Sequence, residues 1–268
     1  MSEEQEMSFL DHLEQLRWTL VRSVIGIASV AILAFFAKSF IFDVILLGPK
    51  SGNFWTYRMF CELSKLLGMG EAFCVTDLEF SLQNISMSGQ FSTHILVSAI
   101  AGLIGAFPFV VYQFWSFLKP GLQEKEQKAT RGVVFYSSML FLTGILFGYF
   151  LIAPLSVRFL GAYKVSEFVV NQISLNSYIT TVTTVTLASG ILFLLPIFIY
   201  FLTKAGVVSS EFLRAYRKHA LVAVLLLSAI ITPPDITSQL LVTGPVFLLY
   251  EVGIKIAKRV EKGNESKA

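Results

Sequence analysis

Charge is what this chain has least of. Only 15% of its 268 residues are Asp, Glu, Lys or Arg, and the 26 residues from Gly132 to Val157 include none. With a hydrophobic fraction of 54% and 25 Phe, that poverty excludes an ordinary soluble domain of this length. At about 1.5 Å per residue the charge-free run makes a helix of roughly 39 Å, enough to cross a hydrocarbon core of about 30 Å with some tilt.

Chemical signatures are missing as well. His12, His94 and His219 are the only histidines, and none has a Cys or carboxylate at metal-ligand spacing. There is no Walker-type glycine loop with its Lys and no Gly-x-Ser-x-Gly elbow. These absences count against metal chemistry, nucleotide hydrolysis and serine hydrolysis, so no cofactor, metal or catalytic residue is expected and the chain is not read as an enzyme. A net charge of +3 is too small to argue for nucleic acid. Residues 1–17 carry five acids and one Arg where a cleavable secretion signal needs a basic start, so no such signal is expected. No inverted repeat of the secondary-transporter kind stands out.

What is present is a series of apolar stretches, which predict an all-α polytopic membrane protein, a single domain over residues 1–268. Six spans are expected: Val21 to Phe42, then stretches within Phe91 to Leu118, Gly132 to Val157 and Tyr178 to Thr203, and finally Ala220 to Ile231 and Ile236 to Ile254. Arg22 and Lys38 bracket the first and can carry their charges out to the interfaces. The fifth apolar stretch, at roughly 18 Å, is too short for an unperturbed bilayer, which implies local thinning or a recessed hairpin tip. Gly144 and Gly148 form a Gly-x-x-x-Gly that suits either internal packing or a dimer face.

Placement of Lys and Arg sets the orientation. The N-terminal segment with Arg17 and Arg22, the loops around 119–131 and 204–218, and the tail 255–268 hold fifteen of the 21 basic residues. By the positive-inside rule both termini are cytoplasmic and segment 43–87 is the first exported loop. Cys61 and Cys74 lie there, thirteen positions apart, and form either a disulfide or two unpaired thiols. Trp55, Tyr57, Phe60 and Phe73 point to short interfacial helices in this loop, with the aromatics at headgroup level.

Acidic residues at the cytoplasmic side are not needed for insertion, since Lys and Arg set the topology. Glu3, Glu4, Glu6, Asp11 and Glu14 precede the first span, and Glu124 and Glu126 stand in the next cytoplasmic loop. Two roles fit them. Asp11 and Glu14 can complement the first helix dipole while the loop acids pair with Lys125 and Lys128. Alternatively, the carboxylates receive a cationic ligand, guanidinium being the one they bind bidentately.

The stretch His12-Leu13-Glu14-Gln15-Leu16-Arg17 resembles the N-terminal signature of the TatC family, the multi-spanning subunit of the twin-arginine protein translocase. The resemblance continues through Pro108, Tyr112-Gln113-Phe114-Trp115-Ser116-Phe117, Pro120, Leu122 and Glu126. It runs on through Phe141, Gly144, Phe147, Tyr149-Phe150, Pro154-Leu155, Gly190 and Pro196. Its most specific part is Thr232-Pro233-Pro234-Asp235, followed by Ser238-Gln239, Pro245 and Glu251-Val252-Gly253.

That resemblance implies a glove-shaped bundle of six helices, the last two short, in the bacterial plasma membrane. It implies a receptor for signal peptides bearing two consecutive arginines, working in an oligomeric complex with the single-span partners TatA and TatB and driven by the protonmotive force. Residue by residue, it places signal recognition on Glu126, with Lys125 and Arg17 as accompanying basic residues. The family's N-terminal Glu falls on Gln15, with Glu14 directly before it. Successive helical residues point about 100° apart, so Glu14 is expected to substitute only if this stretch is frayed or turned. Many relatives carry an acid or amide two residues before the proline matching Pro196, where this chain has Leu194. Pro49 resembles a family proline closing the first helix on the exported side. Asp235 can satisfy, with Thr232, backbone groups left open beside Pro233 and Pro234. Gln239 and Thr232 resemble the polar cluster that contacts partner helices; for Gln239, a bond to the fifth helix is the alternative. A proton-coupled small-solute carrier and a membrane-embedded hydrolase are the competing classes.

Overall fold

The computed structural model describes residues 9–68, 70, 74, 78, 80–118, 130–166, 168–232 and 236–265. Among these, five helical stretches are long and apolar enough to cross a membrane: His12–Phe36, Gly89–Phe117, Gly132–Ala162, Leu175–Lys204 and Ser238–Gly263. Backbone contacts divide the chain into two compact units, Met1–Lys38 with His94–Met139, and Ser39–Thr93 with Leu140–Ala268.

The first unit is built on α1 (Phe9–Phe36) and most of α3 (Gly89–Leu118). α1 starts twelve residues before the apolar stretch that predicts it, and His12 stacks on Phe117 at 4.4 Å between ring centroids. Further along, Gly102 lets α3 approach closely: a Cβ there would lie 2.7 Å from the Ile27 carbonyl oxygen and from the Ala31 Cβ. At the far end Phe35 and His94 stack at 4.0 Å.

The second unit opens with a π-helical segment, Phe40–Leu46, and a 3-10 turn, Gly48–Lys50, followed by α2 (Trp55–Leu66). β1 (Ser81–Gln83) pairs in parallel with β2 (Gln172–Ser174), Ser81 opposite Gln172. The short helix was expected in segment 43–87; the strand was not, because three residues are too few to show a period. The pairing ties the segment between the first two spans to the one after the third.

α4 (Thr130–Phe147), a π-helical turn at Gly148–Ile152 and α5 (Ala153–Ala162) form one continuous span. Gly144 and Gly148 face inward: Cβ atoms there would lie 2.7 Å from the Ser189 carbonyl and 2.8 Å from the Ser189 Cβ, so this Gly-x-x-x-Gly serves internal packing. Ser189 belongs to α6 (Leu175–Leu192), which breaks at Phe193 and Leu194 before α7 (Leu195–Lys204), with Pro196 in the first turn of α7. Proline has no N–H to lose at that position. α8 (Ser210–Ala215), α9 (Arg217–Ile231) and α10 (Ile236–Glu265) complete the chain. At 15 residues α9 spans only about 22 Å, short of a hydrocarbon core, as its apolar stretch foretold.

α10 corrects the sequence reading. It does not end at Ile254 but runs to Glu265, because its buried stripe continues through Ala257 and its far end holds α8. Glu261 accepts hydrogen bonds from the Ser210 N–H (2.6 Å) and hydroxyl. Arg217 pairs with Glu251 at 2.7 Å, and the Tyr250 hydroxyl donates to the Leu213 carbonyl.

Prolines explain a second cluster. Pro49 supplies no N–H to the Ile45 carbonyl four residues back, which instead accepts from the Tyr149 hydroxyl at 2.7 Å. Pro154 likewise supplies none to the Phe150 carbonyl, which accepts from the Thr56 hydroxyl. The Tyr57 hydroxyl sits between the Pro49 and Pro154 carbonyls, at 3.0 and 2.8 Å. Tyr57 is therefore buried in protein, only 1% exposed, and not at headgroup level as its sequence context suggested. Burial pushes its phenol pKa up, with Arg158 opposing weakly.

Candidate functional site

Within the first unit the start of α1 and the end of α3 enclose a cleft of about 340 Å³, lined by Glu14, Gln15, Trp18, Thr19, Arg22, Gln113, Ser116 and Phe117. Glu14, Trp18 and Arg22 recur every four residues and so share one face of α1. Phe117 of the lining is itself stacked on His12. Gln15 and Thr19 are fixed by the helix itself, the Thr19 hydroxyl donating to the Gln15 carbonyl at 2.9 Å and the Ser23 hydroxyl to the Thr19 carbonyl at 2.8 Å.

Two acceptors in this cleft lack donors. Among the described residues Glu14 makes no ion pair, and the side-chain oxygen of Gln15 is buried with no hydrogen-bond partner. An amide oxygen stripped of water and left unbonded costs about 1–3 kcal/mol, a deficit that a donor ligand would relieve. Trp18 lies beside them, 53% exposed, with an indole face suited to a flat cation. The cleft can thus bind a planar, multiply donating cation at its Glu14 end. Arg22, two turns or about 12 Å along the helix, confines that cation to the end holding Glu14.

This geometry revises the expectation for Glu14. α1 is helical from Phe9 onward, neither frayed nor turned at position 14, yet Glu14 and Gln15 line the same cleft. The cleft is wide enough that side chains 100° apart both reach it. Arg17 is exposed on the same helix but does not line it. Lys125 and Glu126, and also Pro233, Pro234 and Asp235, lie outside the described residues. Trp18 and Thr19 were overlooked as site residues, although the four-residue spacing from Glu14 through Trp18 to Arg22 could have found the first.

The remaining candidates sit in the second unit. Pro49 is fully buried, its carbonyl held by Tyr57. Cys61 and Cys74 are joined by a disulfide with a Cα separation of 4.3 Å. The Gln239 side-chain N–H donates to the Leu225 carbonyl of α9 at 3.1 Å, the arrangement set against partner binding in the sequence reading. Thr232 is buried and donates to the Ser228 carbonyl at 2.8 Å, and the Thr243 hydroxyl reaches the Ser228 hydroxyl at 3.2 Å. Leu194 is half-buried at the break between α6 and α7.

A family model described as Sec-independent protein translocase protein (TatC) matches residues 11–245. The Sec-independent protein translocase protein TatC of Blattabacterium sp. subsp. Periplaneta americana is 39% identical over 262 residues, covering 97% of this chain and 98% of that one. The protein of the same name from Halalkalibacterium halodurans is 32% identical over 254 residues, covering 95% and 90%. A crystal structure of the twin arginine translocase receptor TatC superposes with a TM-score of 0.69 at 31% identity, covering 93% of this chain and 99% of that one. Sequence, span pattern and fold agree: the chain belongs to the TatC family of Sec-independent protein translocase proteins, and is a multi-pass helical membrane protein.

Proposed function

We propose that this chain is the signal-peptide receptor and core subunit of a twin-arginine translocase, exporting folded proteins across the bacterial plasma membrane with TatA- and TatB-type partners at the expense of the protonmotive force. The observation that carries this reading is the cleft at Glu14, where an unpaired carboxylate, an unsatisfied amide oxygen and an indole face converge. A guanidinium offers five N–H donors in one plane and a charge that is never lost, so it answers all three features where an ammonium answers fewer. In this reading Arg17 and Lys125 take the part of orienting or backbone-contacting cations, and Glu126 that of a second carboxylate. With the basic loops held inside, both termini and the cleft face the cytoplasm, where a signal peptide arrives.

Partner helices pack on the short α9 and on α10, around Gln239 and Thr232. Both side chains are already bonded within the chain, so contact runs mainly through the exposed apolar faces, Leu226, Ile230 and Leu240 among them. The bilayer is strained beside α9, which favours helices able to relieve the mismatch.

Crosslinking of a twin-arginine signal peptide to membranes bearing Glu126→Lys or Glu14→Lys tests the reading. Loss of the crosslink with the protein still inserted is expected. An undiminished crosslink in both variants refutes it.

A further inference from the structure

α2 is divided into three faces, of which the protein itself covers one and touches another at Trp55, whose ring meets Phe150 edge-on at 5.8 Å. At about 100° per residue, Thr56, Phe60, Ser64, Tyr57 and Cys61 occupy an arc of roughly 140°. Thr56, Tyr57 and Ser64 are buried there, Thr56 and Tyr57 are bonded to the Phe150 and Pro154 carbonyls, and Cys61 is bridged to Cys74. Lys65, Arg58 and Glu62 form a second, charged and exposed arc of roughly 60°. Trp55, Leu66, Met59 and Leu63 fill the remaining arc of roughly 80° and leave it apolar. Trp55 is 56% and Leu66 84% exposed.

The level at which α2 is held says what meets that apolar arc. Its anchors, Phe150 and Pro154, belong to the span Gly132–Ala162, whose charge-free part runs from Gly132 to Val157. A hydrocarbon core of about 30 Å takes roughly 20 helical residues. Centred on the charge-free part, it reaches to about residue 154, which puts Pro154 at its border and Phe150 about 6 Å inside. α2 therefore rests where protein wall, lipid and water meet, and has one face for each.

We propose that the Trp55, Met59, Leu63 and Leu66 face of α2 is a lipid-binding surface, inserted at the boundary between acyl chains and headgroups, with Arg58 and Lys65 turned to phosphates and water. Protein would leave a dry, immobile face there, whereas a bilayer accepts the mixed Trp, Met and Leu surface beside basic residues. The disulfide and the two carbonyl anchors staple the opposite face, so lipid contact fixes the helix from outside while the protein fixes it from within.

The test uses the whole chain reconstituted in phosphatidylethanolamine–phosphatidylglycerol vesicles, with nitroxide labels on single new thiols at Leu63, Leu66, Arg58 and Lys65, and at Leu33 of α1 as a spanning-helix reference. Labels at 63 and 66 are expected to collide several-fold more with oxygen than with a water-soluble nickel chelate, as at 33, and labels at 58 and 65 the reverse. Nickel-dominated collisions at 63 and 66 overturn the proposal. So does shielding from both reagents, which would mean a second copy or another protein covers the face. Because a new thiol can disturb the bridge, the unlabelled chain gives an independent readout. Lipids brominated near the ester end of the acyl chain should quench the fluorescence lost in Trp55→Phe, and absence of that quenching also overturns the proposal.

Discussion

Tyr57→Phe is the sharpest single test of how the second unit is held. The ring keeps its volume, so no cavity forms, and only the hydroxyl between the Pro49 and Pro154 carbonyls is removed. One proton cannot serve two acceptors fully, yet both carbonyls lose their donor in a site that is 1% exposed. An unsatisfied buried acceptor costs about 1–3 kcal/mol, and about 2 kcal/mol is a central expectation for this pair. At about 2–4 °C per kcal/mol for a chain of this size, the melting temperature of the detergent-purified protein should fall by about 4–8 °C. Burial also raises the Tyr57 pKa above its ordinary value of 10.0, so the folded state keeps a proton that the unfolded chain releases. The stabilisation is complete below pH 10 and is lost as pH rises toward the folded pKa. Above pH 10 the gap between the parent and Tyr57→Phe should therefore close by about 1.4 kcal/mol per pH unit. An unchanged melting temperature, or a gap indifferent to pH, refutes the assignment of Tyr57 as the donor to both turns.

Four further outcomes are expected. Replacing Cys61 and Cys74 together by Ser should cost about 3 kcal/mol in the chain-entropy model, visible as a melting shift that reductant reproduces in the parent and not in the variant. Glu261→Ala strips the start of α8 of its acceptor and should cost about 1 kcal/mol, with faster amide exchange over 209–216 as the local signature. Gln239→Leu breaks one bond to α9 and should cost only about 0.6 kcal/mol, so a larger loss of partner crosslinking than of stability would mark a direct role in partner binding. For peptide binding, Glu14→Gln should weaken a twin-arginine peptide about tenfold, the low end for a charge-assisted bond because Glu14 is solvent-accessible; equal affinity for parent and variant would remove Glu14 from the site.

Long apolar stretches made the spanning helices legible, since their length alone separates them from anything a soluble core contains. The shortness of α9 was legible for the same reason. Element ends were less so, and in a patterned way. α1 begins at Phe9 and α10 ends at Glu265 because polar helix outside the bilayer is stabilised by tertiary contacts, His12 on Phe117 and Glu261 on Ser210, which hydropathy does not register. The parallel pairing of β1 and β2 joins residues 91 positions apart through three-residue strands, and no local pattern announces that. The prolines were legible only as positions: Pro49 resembles a family proline closing the first helix and Pro154 belongs to the same resemblance, while Tyr149, Thr56 and Tyr57 as donors to the carbonyls beside them required the fold.

The carboxylates of the spanning helices show why the cleft at Glu14 stands apart. Leu194 puts no acid in the fourth span, and the second and third spans hold none. Glu251 is committed to Arg217, and Glu261 to the start of α8. Both serve to hold the segment after α7 against α10, and each would leave a bonded partner stranded if it took a proton. Glu14 has no such duty among the described residues. A carboxylate at the edge of an apolar helix with neither an ion pair nor a capping role is free to receive a cationic ligand, which is the part the proposed function gives it. Under the proposed function, membranes carrying Glu14→Gln should keep the inserted protein but lose export of twin-arginine cargo in step with peptide affinity; full peptide affinity with export lost would place the role of Glu14 after recognition.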